Sequence, residues 1–268
     1  MRRRLCMLLL LFAVLLSAGT SIAQQNEEPG PGPGQVSGAL FTKEGAPMNG
    51  GLVYFFTRTG PLPDPERYWR VPDFMAEIGE KGEFSLELLE GEYYIGAIKR
   101  AAGKTENGPP EIGDLFYKGV DANGKPSSFI VKKGERTDLG AIRGAVPFKG
   151  LPAGNKISAI KGKVITPNGK PVKGALVFAF LTPSIMGKPA FASYRTGKDG
   201  TYVLRVDEGG SFFLRARDIY GGGPPVTGAL IGNYGGETPQ PVVVITGKMT
   251  KGINITVEKF KGRGRPSP

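Results

Sequence analysis

Two stretches of the chain repeat each other. Residues 160–180 read IKGKVITPNGKPVKGALVFAF, and residues 36–56 read VSGALFTKEGAPMNGGLVYFF. Gly38 matches Gly162, Gly45 matches Gly169, Pro47 matches Pro171, Gly50 matches Gly174 and Val53 matches Val177, each 124 positions on. In both, an alternating strand meets a turn rich in Gly, Pro and Asn, and an apolar run follows. That order predicts strand, turn, strand. A fixed period means that one structural unit occurs twice.

The rest of each copy follows the same plan. Phe84, Leu86 and Leu88 alternate with Glu83, Ser85 and Glu87, and Tyr202, Leu204 and Val206 repeat this after a Gly-Lys-Asp-Gly turn at residues 197–200. Such alternation marks half-buried strands of an antiparallel sheet. Residues 129–132 and 139–142 around Gly134, like residues 242–245 and 253–257 around Gly247, read as closing hairpins. The offset falls from 124 to 118 at Gly82/Gly200 and 113 at Gly134/Gly247, as unequal loops on one framework produce. About seven short strands per copy predict an all-β chain of two tandem antiparallel β-sandwich domains, at 36–146 and 158–260, with a linker at 147–157. One strand in each copy is apolar on both faces: Leu52, Tyr54 and Phe56 against Val53 and Phe55, and Leu176, Phe178 and Phe180 against Val177 and Ala179. A solvated sandwich strand shows polar residues outward. The outer face of this strand is therefore expected to be covered in at least one domain, by the other domain or by a loop.

Residues 1–23 have the order of a signal peptide: Arg2–Arg4, an apolar run from Leu5 to Leu16, and Ser21-Ile22-Ala23 before Gln24. The run is short for a membrane anchor, and removing residues 1–23 leaves no transmembrane segment. The mature chain is then expected to be secreted, to a periplasm, a cell surface or the medium. A Pro/Gly spacer at 24–35 and a basic tail at 261–268 flank the domains. Cys6 is the only cysteine and the chain has no histidine, so the mature protein forms no disulfide, Ser-His-Asp triad, Cys nucleophile or His-ligated zinc site. Neither the loop from Lys104 to Gly108 nor that from Gly221 to Gly223 runs from a strand into a helix, so phosphate cradling is not expected, and Asp199 and Asp218 stand too isolated for calcium. No cofactor is expected. A glycosidase-like carboxylate pair could only come from Glu66, Asp73, Glu77 and Glu83, which nothing holds at working distance. The formal charge of +11 becomes +8 in the mature chain, 32 basic residues against 24 acidic. That balance suits either a solvated surface or acidic partners.

Residues 161–164, 169–172, 174–175, 196–202 and 209–212 resemble the carboxypeptidase regulatory-like domain. The resemblance covers nearly all of the second copy and fits the first less well, where Met48-Asn49 stands before Gly50 and the loops are longer. It implies a transthyretin-like (prealbumin-like) β-sandwich used as an accessory, adhesion or scaffold module. Related sandwiches of surface proteins carry a Lys–Asn isopeptide. Lys161 or Lys163 with Asn254 would be its partners here, but the alternation turns these residues outward.

Arg67, Tyr68, Trp69 and Arg70 form the candidate binding site, on a loop whose Pro61, Pro63, Pro65 and Pro72 forbid a central strand. Aromatics beside arginines stack sugars or anchor a protein; equally, they fold back to seal the end of a sandwich. The leading expectation is an exported, non-catalytic accessory module that binds another envelope or extracellular protein. The alternative is a carbohydrate-binding module working through the aromatic loop, and a carboxylate hydrolase ranks below both. Polysaccharide is the second candidate partner, and nucleic acid is not expected.

Overall fold

A computed structural model describes residues 32–102, 107–151, 157–185, 187–221 and 223–262. Within them every regular element is a strand. The first copy supplies β1 (Pro33–Thr42), β2 (Leu52–Thr57), β3 (Phe74–Glu77), β4 (Glu83–Leu89), β5 (Gly91–Lys99), β6 (Leu115–Tyr117), β7 (Ser128–Val131) and β8 (Arg136–Pro147). The second supplies β9 (Ser158–Ile165), β10 (Leu176–Phe180), β11 (Phe191–Ala192), β12 (Thr201–Val206), β13 (Gly210–Arg217), β14 (Leu230–Asn233) and β15 (Pro241–Val244). It ends with β16 (Met249–Lys251), β17 (Ile255–Thr256) and β18 (Glu258–Lys259). The signal segment, residues 152–156 of the linker, much of the spacer and most of the basic tail lie outside the described residues.

Strands of each copy pair within that copy. In the first, the order β3-β2-β5-β6-β8-β1-β4 is continuous, with β7 also on β5. In the second, β11-β10-β13-β14-β18, with β15 on β13, faces β12-β9-β16, with β17 also on β9. The single strand β8 thus does in one copy what β16, β17 and β18 do in the other. The inward residues of the opposed layers make one core per sandwich. Val36, Leu40, Phe55, Phe84, Leu88 and Ile95 meet in the first, and Ile160, Val177, Tyr202, Leu204, Phe212 and Ile255 in the second. Each buried side chain of this size contributes about 2 kcal/mol to folding.

The repeat holds at the level of single hydrogen bonds. The bridge Phe41↔Pro47 recurs as Ile165↔Pro171. Thr42 N donates to Ala46 O at 2.8 Å, and Thr166 N to Lys170 O at 2.9 Å. Gly82 N and Gly200 N each close a turn on the carbonyl three residues back. Both glycines have positive φ, +87° and +74°, and a Cβ on either would lie 2.6 Å from a carbonyl oxygen of the first strand. Only glycine fits such a position.

Three details differ from expectation. The closing hairpins do not form: β7 and β15 join β5 and β13, whereas β8 and β16 cross to the opposite layer and pair with β1 and β9. Gly134 and Gly247, at φ +71° and +72°, turn the chain over the sandwich edge. The crossing strand gives the first strand a partner on its second side, which a hairpin would have left bare. The pairing of first strand with last is also parallel, inside sandwiches that are otherwise antiparallel. The short strands β6 and β14, which lie after glycine-containing loops, were not anticipated.

The outer faces of the two doubly apolar strands meet each other. Tyr54 and Phe56 of β2 and Leu176, Phe178 and Phe180 of β10 share a third buried cluster with Trp69, Val71, Phe116 and Ile185. The described residues accordingly pack as one unit.

Candidate functional site: the seam between the sandwiches

The proline-rich segment between β2 and β3 builds this seam. Asp64 O accepts from Arg67 N and Tyr68 N, which turns the chain after Pro65. Residues 69–71 then run extended beside β11. Ala192 N donates to Trp69 O at 3.1 Å, Val71 N donates to Ala190 O at 2.9 Å, and Arg70 bridges Phe191. A loop of the first sandwich thus adds a short strand to the second, by the backbone pairing that sheet edges use to take up foreign segments.

The side chains follow this placement. Tyr68 enters the core of the second sandwich, edge-on to Phe191 at 5.3 Å, and its hydroxyl donates to Leu62 O. Trp69 lies in the seam, edge-on to Tyr54 at 5.9 Å, and its Nε1 donates to Tyr220 Oη at 3.0 Å. Burial pushes the Tyr54 phenol up to about 12 and raises Tyr220 further. The Arg70 side chain is 2% exposed. Its guanidinium donates to Pro61 O, to Thr57 O at 2.9 Å and to Asp73 Oδ2 at 2.7 Å, and lies 5.4 Å over the Phe56 ring. Asp73 also accepts from Thr57 N and pairs with Lys188 of the second sandwich at 2.9 Å. Burial lowers both Arg70 and Lys188, and Asp73 offsets part of that. Arg67 stays at the surface, where it reaches Asp64 and Asp207 O.

A buried ion pair within the first sandwich escaped the sequence reading. The Asp114 side chain is fully buried and accepts from Ala101 N at 2.9 Å, Glu111 N at 2.8 Å and Arg100 Nη1 at 2.6 Å. Arg100 also donates to Pro109 O and Gly108 O. Burial raises the Asp114 carboxyl, but the two backbone donors and the guanidinium outweigh it and hold the group below the ordinary carboxylate range. Lone polar residues in a long loop carry no local signal of such a cluster.

The four candidate residues are therefore brought together, but three of them are inside. Tyr68, Trp69 and Arg70 are buried, and protein occupies the ring faces that a sugar would need. The cavity beside Tyr54, Tyr68, Trp69 and Phe116 has a volume of about 20 Å³. That is room for one water; Trp69 also lines a second, open cleft of about 310 Å³ with Ile157, Tyr194, Arg205 and Met249. Of the carboxylates, Glu66 pairs with Lys118, Asp73 sits between Arg70 and Lys188, and Glu83 accepts from Lys81 N. Asn254 Oδ1 accepts from the Lys163 backbone N at 3.0 Å, and both residues are exposed, so neither has the burial an isopeptide requires. Among the described residues no group of three or more His, Cys, Asp or Glu could hold a metal, and no helix is long and apolar enough to cross a membrane.

No family model matches the chain, the carboxypeptidase regulatory-like domain included, and no curated protein matches it. Similar solved structures include the Bacillus anthracis TIE protein, at 13% identity and TM-score 0.26 over 85% of this chain and 34% of that one. GBS52, the minor pilin of Streptococcus agalactiae, matches at 15% identity and TM-score 0.25 over 88% and 100%. BcpA, the major pilin subunit of Bacillus cereus, matches at 9% identity and TM-score 0.26 over 84% and 99%. The chain spans about a third of the length of the first of these. At TM-scores this low the likenesses carry no argument about what the chain does.

Proposed function

We propose that the protein is an exported, non-catalytic accessory module that works through its outer faces, binding another protein outside the cytoplasm. The observation that carries this reading is the seam. The chain's one tryptophan, the Arg70–Asp73–Lys188 cluster and the proline-rich loop are used to lock two sandwiches into one body. What remains for contact is exposed sheet faces and edges, which suit a macromolecular partner better than a small substrate. The sequence adds the export signal and the lack of histidine. The transthyretin-like resemblance fits an accessory role and belongs to the same proposal.

Pull-down from the envelope fraction of the source cells with the mature chain tests this. A stoichiometric protein partner, weakened by salt if the basic charge takes part, is the expected result. Turnover of a glycoside that vanishes with Glu77→Gln or Glu83→Gln would overturn it. The carbohydrate alternative requires the loop of Arg67, Tyr68, Trp69 and Arg70 to leave the seam, and glycan binding lost in Trp69→Ala would favour it.

A further inference from the structure

The two copies match position by position, which makes one difference between them informative. Residues paired across strands share a face of the sheet. On the outer face of β4-β1-β8, Ser37 stands beside Ser85 and Asp138, Gln35 beside Glu87 and Arg136, and Ala39 opposite Glu83. The repeat offsets place Lys161, Val203 and Lys251 where Ser37, Ser85 and Asp138 stand, and the strand pairings of the second copy confirm the match. In the same way Lys163 replaces Ala39, Thr201 replaces Glu83 and Arg205 replaces Glu87. The first face carries three carboxylates and two guanidiniums, Arg136 and, opposite Phe41, Arg143. The second carries four cations and no carboxylate.

This inversion is not a by-product of pairing inside the sandwiches. Lys161 and Lys251 stand directly opposite each other with Lys163 two residues along, all three exposed. Like charges so placed cost stability. Among the described residues, no carboxylate lies within ion-pair distance of the three. Asp199, on the neighbouring turn, bonds Thr201 and also feels the charge of Lys163, without forming an ion pair with it. The same division runs through the whole chain. Residues 151–268 hold 17 Lys and Arg against 6 Asp and Glu, whereas residues 32–150 hold 15 against 16. An open groove of about 640 Å³ runs along the first face past Glu77, Glu83 and Asp138, with space for lysine side chains.

We propose that these faces are complementary and that the protein associates with itself head to tail, the β4-β1-β8 face of one copy against the β12-β9-β16 face of the next. This rests on the reading of a non-catalytic contact module and names its partner as a second copy. A polyanion would account for the lysines and leave the carboxylates at the matching positions unexplained, whereas a second copy accounts for both. Because unlike faces meet, one contact leaves a free face of each kind, and addition can continue.

Sedimentation of the mature chain tests the proposal. The expected result is a mass that rises above the monomer with concentration at low salt and returns to the monomer at high salt. A triple variant Lys161→Glu, Lys163→Glu, Lys251→Glu should be monomeric, and so should Glu83→Lys, Glu87→Lys, Asp138→Lys. Mixing the two in equal amounts should restore assembly, because one then carries two acidic faces and the other two basic ones. All six positions are exposed strand residues, and an unchanged circular dichroism spectrum checks that both variants fold. A wild-type chain that stays monomeric at low salt, assembly that survives both triple variants, or two variants that fail to co-assemble would overturn the proposal. So would a monomeric chain whose lysine face retains it on a sulfated polysaccharide. A monomer that still captures a different protein from the envelope would end the self-association and leave the broader function standing.

Discussion

Asp73 is the residue on which the seam depends. It is the carboxylate shared by Arg70, which is almost wholly buried, and Lys188, which comes from the other sandwich. Removing one partner of a buried ion pair leaves the other charge uncompensated. Asp73→Asn should therefore lower unfolding stability by about 3 kcal/mol, read as a fall in the urea midpoint. Asp114 makes a pH prediction. Its carboxyl is held below the ordinary range in the fold. Its contribution is then complete above the unfolded value of about 4 and disappears as pH falls through the lower folded value. Urea midpoints measured from about pH 5 down to about pH 2 should fall, and Asp114→Asn should remove that part of the slope. Ser37 points the other way: its Oγ is buried and has no partner among the described residues. Ser37→Ala should leave stability unchanged or raise it by up to about 1 kcal/mol. None of these roles was legible in the sequence. Each depends on a partner brought near by the fold, and a lone Asp or Ser in a loop or strand looks the same whether or not it has one.

Elements were far more legible than contacts. The strand–turn–strand unit could be placed because its turn chemistry is local: the glycines and the proline at the ends of each turn act within a few residues. Two turns of the second copy differ in one testable way. Gly200 has φ +74° and no space for a Cβ beside the Val164 carbonyl, whereas Gly169 has φ +76° and open space around it. Gly169→Ala should cost only the left-handed backbone penalty, about 1–2 kcal/mol. Gly200→Ala should cost clearly more, with the difference read from denaturant midpoints. The crossing of β8 and β16 was not legible, because a Gly turn between two apolar runs has the same composition whether it closes a hairpin or passes over a sandwich edge. For the Trp69 loop, the sequence supported both a binding surface and a seal. The geometry shows that it seals the seam, through a strand pairing between residues more than a hundred positions apart.

For the whole molecule, the doubly apolar strands were the one long-range feature that the pattern disclosed, since two apolar faces need two covers. Their meeting predicts that the sandwiches unfold together. Trp69 is the only tryptophan and sits in the seam, so its fluorescence reports the opening of the seam, while far-ultraviolet circular dichroism reports the strands of both sandwiches. The two signals should give the same urea transition; a fluorescence change well ahead of the dichroism would show that the seam parts first. The parallel pairing of first and last strands bears on tension. The chain enters the first sandwich at the start of β1 and leaves it at the end of β8, and the two run side by side from Gln35↔Arg136 to Thr42↔Ala145. A pull on those two ends slides one strand against the other and stretches every rung of the ladder together. A pull between Pro33 and Leu89, partners at one end of the antiparallel β1–β4 pair, instead opens rungs one after another. Cysteine handles placed at 33 and 147 should therefore need a much larger force to part than handles at 33 and 89, in single-molecule stretching. The second sandwich repeats the arrangement with β9 beside β16 and β17, so the protein is two shear clamps in series along the line of load.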